Sequence, residues 1–217
     1  MLPSEIPIFP LPNVVLFPGA FLALHIFEPR YRVMLADALA GNRVIGIVLL
    51  RPGWEPDYEG RPPVYPIGCA GAISHADRLD DGHYNIIVRG LEKFRIVSET
   101  ARDPAPIPRA YRVARIEPIP ETVVDGDHHA IQDERERLEA LLAPRIAGPG
   151  QGDRLPLDIP DEDLVNALAQ HLALEPLEKQ ALLERDGMLA RCRSLIELLE
   201  MKEMAGRAPT ARRAWTH

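Results

Sequence analysis

The sequence predicts an α+β fold, a β-rich N-terminal part carrying one helix followed by an all-helical C-terminal part. Three observations predict it. Between residues 6 and 116, short runs rich in β-branched and aromatic side chains alternate with proline and glycine. Two of these runs flank Asp80-Asp81-Gly82, and Asp-Gly between β-like runs is among the strongest short-range hairpin signals. Beyond about residue 120 the period changes, and apolar residues recur at helical spacing in several separate stretches. The expected division is a β domain over 1–120, helices over 121–205 and a frayed tail over 206–217.

Residues 6–9 and 13–17 read as short strands between prolines, and 21–27 (FLALHIF) as another. Glu28-Pro29-Arg30-Tyr31 then opens a helix, because proline fits the first turn, where its missing N–H costs little. Tyr31, Met34, Leu35 and Ala38 make its apolar stripe, and Gly41-Asn42 ends it. The run 43–50 (RVIGIVLL) predicts a buried strand, and 51–66 is a proline-rich loop. The hairpin follows, with strands within 68–78 and 83–90, and further strands at 93–97 and 111–116. These short strands and one helix predict a small barrel-like β domain, since closure hides sheet edges. In the second part Ile131, Arg135, Leu138 and Leu142 share a helical stripe. A Pro/Gly-rich interruption over 144–160 precedes a helix that Asp161 is expected to cap, with Leu164, Val165, Leu168 and Leu172 inward. Glu175-Pro176 starts the next helix, and 188–204 forms the last.

Composition narrows the function classes. The chain has 217 residues, enough for a sizeable core, and 22 prolines, which make stiff loops and extended edges. Its net charge of −7 disfavours non-specific attraction to nucleic acid or anionic membrane. Cys69 and Cys192 match no disulfide framework or CxxC spacing and are expected to be reduced, buried thiols in the cytoplasm. No basic leader precedes the apolar N-terminus, and no apolar run approaches the ~20 residues a span requires.

Several pieces together resemble the N-terminal, substrate-binding domain of the Lon protease family. They are Pro10-Leu11, Leu16-Phe17-Pro18, Phe27-Glu28-Pro29-Arg30-Tyr31, and the series Gly68, Asp81-Gly82 and Gly90. The segment 164–200, with Pro176-Leu177-Glu178-Lys179-Gln180 between two helices, is similar in layout to that domain's helical stretch. The resemblance implies a PUA-like β-barrel followed by an α-helical bundle, and a module that engages polypeptide substrates. It assigns family-motif structural roles to Pro10, Leu11, Phe17, Pro18, Glu28, Pro29, Arg30, Gly68, Gly82 and Gly90. In Lon that domain precedes an ATPase and a serine–lysine peptidase. Here the chain stops at His217, so a recognition module standing alone is expected.

The residues themselves offer no catalytic engine. Lys93, Lys179 and Lys202 follow Glu92, Glu178 and Met201, so there is no Gly-Lys-Ser/Thr to hold a nucleotide phosphate. Ser4, Ser74, Ser98 and Ser194 sit in no nucleophile motif. The nearest approach to a metal site is His75, Asp77, Asp80, Asp81 and His83, but hairpin-turn chemistry already accounts for the aspartates. His128-His129 match no HExxH pattern, and His25 reads as a hydrogen-bonded, half-buried strand residue. Neither a metal nor a cofactor is expected. Glu28, Arg30 and Arg32 could meet a charged ligand, although local ion pairs are the commoner use of such residues.

The expected activity is non-catalytic binding of exposed apolar or unfolded polypeptide, as quality control or as an adaptor, or binding of a partner protein. Trp54, Tyr58, Tyr65, Phe27 and Tyr31 are the candidate peptide-binding residues, because aromatics on stiff segments bind at low entropic cost. A peptide could add to a sheet edge or lie in a cleft between the two parts. RNA binding through the PUA-like barrel is the alternative. It rests on Arg89, Arg95, Arg102, Arg109, Arg112 and Arg115 and is opposed by the acidic balance. An enzyme with an unrecognised small-molecule site ranks third.

Overall fold

The structure is a computed structural model that describes residues 2–58, 60–99, 111–121, 128–146 and 159–207. The tail from 208, Arg102 and Arg109, and most of the 144–160 interruption lie outside them. Among the described residues six strands and five α-helices make a mixed α/β arrangement, with a 3-10 turn over Glu55–Asp57: β1 (Glu5–Leu11), β2 (Phe21–Ile26), α1 (Pro29–Ala40), β3 (Val44–Leu49), β4 (Ile67–Arg78), β5 (Tyr84–Glu99), β6 (Arg112–Ile119), α2 (His128–Ile146), α3 (Asp161–His171), α4 (Pro176–Leu183) and α5 (Met188–Arg207).

The sheet order is β2-β5-β4-β3-β1-β6, and β6 pairs again with β5. β1 lies parallel to β3, with Ile8 opposite Gly46; the other pairings are antiparallel. β5 serves two neighbours in turn. Its first half, from Tyr84 to Arg89, pairs with β2, and its second half, from Lys93 to Glu99, pairs with β6. The pairings β5-β4-β3-β1-β6-β5 thus close on themselves, and β2 is appended to one side. Ile6, Ile8, Val44, Val48, Ala70, Phe94, Ala114 and Ile116 pack together from those five strands, on the inner side of the circuit. All six residues of β3 are buried, which explains its unbroken apolar run.

A larger core lies between the strands and the helices. It joins Phe9, Leu16, Phe17, Met34 and Leu35 to Leu138, Val165, Leu183, Leu195 and Ile196. α5 packs against α2, α3 and α4. Polar groups stitch the same junction. Arg191, fully buried, donates to Asn166 Oδ1 at 2.7 Å, to Leu182 O at 3.2 Å and to Glu121. Lys93 Nζ reaches Arg185 O at 2.9 Å and Glu121 Oε1 at 3.2 Å. Burial, and then the Arg191 charge, lower the Lys93 pKa. Apolar side chains from both parts are therefore packed inside this core.

Three local expectations are corrected. Residues 13–17 form no strand. Val15, Leu16 and Phe17 are buried, and the Gln170 side chain satisfies their backbone instead, donating to Val15 O and accepting from Phe17 N–H, both at 3.1 Å. The strands expected at 83–90 and 93–97 are one strand, β5, with register shifts against its neighbours. Asp161 is the first residue of α3, not its cap; Pro160 holds that position, and Asp161 Oδ1 accepts from Arg135 at 2.5 Å.

Candidate functional site

The start of α1 builds the first cluster. Glu28 is extended at the N-cap and Pro29 occupies the first helical turn, which places Arg30 beside both Tyr31 and Tyr58. The Arg30 guanidinium lies 4.6 Å from the Tyr31 ring centre and 4.7 Å from that of Tyr58. It donates to Glu28 Oε2 at 2.9 Å and to Tyr58 O at 3.0 Å, and the Tyr58 hydroxyl donates to Glu28 Oε1 at 2.5 Å. Phe9 stands 4.2 Å behind Tyr31, and Trp54 meets Tyr58 edge-on at 5.2 Å. Phe9, Tyr31, Arg30, Tyr58 and Trp54 thus form a column from core to surface. Each cation–π or aromatic contact in it is worth about 0.5–1.5 kcal/mol. Burial pushes the Tyr31 hydroxyl up to about 12. The column pins Trp54 and Tyr58 to α1; Phe9 and Tyr31 are its buried end and Trp54 its half-buried outer end.

The candidate aromatics therefore do not form one patch. Trp54, Tyr58 and Tyr31 share the column. Tyr65 lies apart, with the Arg51 guanidinium 5.3 Å from its ring centre. Phe27 lies elsewhere again, 6.2 Å from His25 and 6.4 Å from His83.

Phe27 belongs to the second surface, the outer edge of β2. Among the described residues no strand pairs with that edge. Gly90 N–H donates to Ala20 O at 2.8 Å, which sets the phase of the β2–β5 ladder. Carbonyls alternate in direction along an antiparallel strand, so those of Phe21, Ala23 and His25 point to the open edge, with their N–H groups. Phe21 and Phe27 flank it, each 55 % exposed. The strand between them, FLALHI, carries neither the lysine nor the proline that usually blunts an edge. A shallow pocket of about 380 Å³ lies alongside, lined by Ala23, Leu24, His25, His75, Ile86 and Ile87 among others. His25 is exposed here, not half-buried as expected, and its Nδ1 lies 2.8 Å from Asn85 Oδ1.

The residues to which the resemblance assigns structural roles lie at strand ends, turns and close backbone approaches. Pro10 and Leu11 end β1, and Phe17 is buried beside Pro18. Gly68 pairs with Phe94 within β4. Gly82 turns the hairpin at φ 78°. A side chain at Gly90 would lie 2.0 Å from the Phe17 carbonyl, so only glycine lets the 16–19 segment cross β5 there. At the hairpin tip Asp81 Oδ1 accepts from the His83 N–H at 2.9 Å, a local turn bond. Among the described residues no group of three His, Cys, Asp or Glu could hold a metal. Sequence reasoning missed Phe21 and the open β2 edge, although the uncharged run 21–27 was a usable signal. It also missed the Arg191, Lys93 and Glu121 junction, for which no local motif exists.

Residues 5–201 match the family model described as the ATP-dependent protease La (LON) substrate-binding domain. Lon protease 2 of Myxococcus xanthus is 28 % identical over 207 residues, 93 % of this chain and 24 % of that protein. The chain thus spans about a quarter of the length of such curated relatives. A crystal structure of a Lon N-terminal domain protein from Xanthomonas campestris matches with TM-score 0.57 and 25 % identity, covering 91 % of this chain and 98 % of that one. The N-terminal domain of Mycobacterium avium complex Lon protease has the same fold, with TM-score 0.64 at 20 % identity, covering 90 % and 98 % of the two chains. No helix among the described residues is long and apolar enough to cross a membrane.

Proposed function

We propose, from the premise that this chain belongs to the ATP-dependent protease La (LON) substrate-binding domain family, that it binds extended apolar stretches of other polypeptides and performs no chemistry on them. In this reading residues 1–120 are a PUA-like β-barrel and 121–205 a helical bundle docked on it. The protein acts in the cytoplasm as an adaptor or quality-control module, without a cofactor.

One observation carries the reading: the open, uncharged β2 edge between exposed Phe21 and Phe27. An extended peptide adding there gains main-chain hydrogen bonds irrespective of its sequence, and the flanking phenyl rings reward apolar side chains. That combination suits a binder of unfolded chains. Phe27 is the direct contact in this account. Trp54 and Tyr65 provide further apolar surface on the loop, while Tyr58 and Tyr31 act through Arg30 by holding that loop.

The test is a titration of a labelled, permanently unfolded model protein at two salt concentrations, with a single-stranded oligonucleotide in parallel. Binding of the polypeptide should change little with salt, whereas phosphate contacts would weaken steeply. Ala23→Pro removes an outward N–H without touching the β2–β5 ladder, and proline is tolerated on an edge. It should weaken polypeptide binding, as should Phe27→Ser. Binding of the oligonucleotide alone, or undiminished polypeptide binding by both variants, would refute the proposal.

A further inference from the structure

We propose that the arginine-lined pocket beneath the 51–66 loop receives the C-terminal carboxylate of a bound polypeptide whose last side chain is apolar. The inference rests on the polypeptide-binding reading and adds a second, chemically distinct contact to it.

The pocket holds about 400 Å³, within the range of small-ligand sites and too small for a run of chain. Arg51, Arg61 and Arg112 line it against one carboxylate, Glu99, in a protein whose overall charge is −7. Val64 and Ile96 supply apolar wall. The three arginines differ in availability. Arg112 is committed: it forks onto Glu99, with Nε to Oε2 at 2.8 Å, and donates to Pro62 O at 2.7 Å. Arg51 is held but not used up. Its Nε donates to Val64 O at 3.1 Å and its guanidinium lies on the Tyr65 ring, yet its Nη atoms have no partner among the described residues. A guanidinium fixed on an aromatic face with free Nη donors is pre-organised for a planar carboxylate. Glu99 disfavours a dianion, so a monovalent carboxylate fits better than phosphate. A chain terminus presents that carboxylate and an apolar side chain on one carbon, matching the arginine rim and the Val64–Ile96 wall.

The pocket and the β2 edge are set apart along β5. β2 pairs with β5 at Ile86 and Ile87, and the pocket lies farther along β5 at Ile96 and Glu99. About ten residues of strand span at most ~33 Å. A flexible chain of about forty residues has a mean reach of that size, so one unfolded polypeptide can occupy both places.

The experiment uses the full chain and a synthetic unfolded polypeptide of about forty residues ending in valine, made as the free acid and as the amide. The free acid should bind about five- to tenfold more tightly, the scale of one net hydrogen bond at a solvent-open pocket. Arg51→Gln should abolish that preference while leaving the affinity for the amide unchanged, which also reports that the variant is folded. Ala23→Pro should weaken both ligands alike and keep the preference. Equal binding of acid and amide by the unaltered protein overturns the pocket assignment and leaves polypeptide binding standing. So does a preference that survives Arg51→Gln, or displacement of the acid by inorganic phosphate at concentrations where acetate has no effect. If neither form binds, both readings fall.

Discussion

Replacing Glu121 by glutamine should destabilise the protein by about 3 kcal/mol, because this one carboxylate serves two buried cations. The Arg191 and Lys93 side chains are 0 % and 2 % exposed, and Glu121 is 12 % exposed. Breaking a buried ion pair by removing one partner costs about 3–5 kcal/mol, since the other charge stays buried and uncompensated. Glutamine keeps the shape and one acceptor, and Glu121 touches solvent, so the low end applies. For a chain of this length that is a fall in Tm of about 6–12 °C. Urea unfolding of the wild type, Glu121→Gln, Lys93→Met and the double variant measures it. The single variants should not add: removing Lys93 relieves part of the repulsion left by Glu121→Gln, with a coupling of about 1 kcal/mol or more. A loss below ~1 kcal/mol, or strict additivity, would class these contacts with ordinary surface pairs and refute the reasoning.

The two thiols should be invisible to a thiol reagent in the folded protein and react only on unfolding, which a stopped-flow labelling assay reads directly. Burial pushes Cys69 up to about 12 and Cys192 up to about 11. Folded values above the unfolded one mean that their contribution is complete below about pH 8.5 and is lost as pH rises through the folded values. Stability should therefore fall above that point, by up to ~1.4 kcal/mol per pH unit for each thiol, and the fall should be shallower in Cys69→Ala. Gly90→Ala should cost more than 3 kcal/mol in denaturant unfolding, a rough figure for forcing backbone apart, because its Cβ would sit 2.0 Å from the Phe17 carbonyl. Gly82→Ala should cost only about 1 kcal/mol, the strain of φ 78°, because the added Cβ meets only the movable end of the Arg32 side chain.

The strands and helices were legible wherever one period ran unbroken. β3 and the β4–β5 hairpin follow directly from β-branched runs and Asp81-Gly82, and α1 and α4 from proline in the first turn. Residues 13–17 misled because an apolar run between prolines says nothing about its backbone partner. Here that partner is the side chain of Gln170, more than 150 positions away. The candidate aromatics were legible as residues but not as an arrangement. Nothing local in the sequence places Arg30 between Tyr31 and Tyr58, or separates Phe27 from both. The open β2 edge is a property of topology: it follows from β5 turning from β2 to β6 halfway along. The arginine pocket likewise joins the end of β3, the end of β5 and the start of β6, which no window of sequence contains.

The central claim is strand addition at β2, and amide hydrogen exchange tests it most directly. With an unfolded apolar polypeptide bound, the amides of Phe21, Ala23 and His25 should slow markedly, while those of Leu22 and Leu24, already turned toward β5, should change little. Saturable binding with no added protection at those three alternating amides would contradict the account.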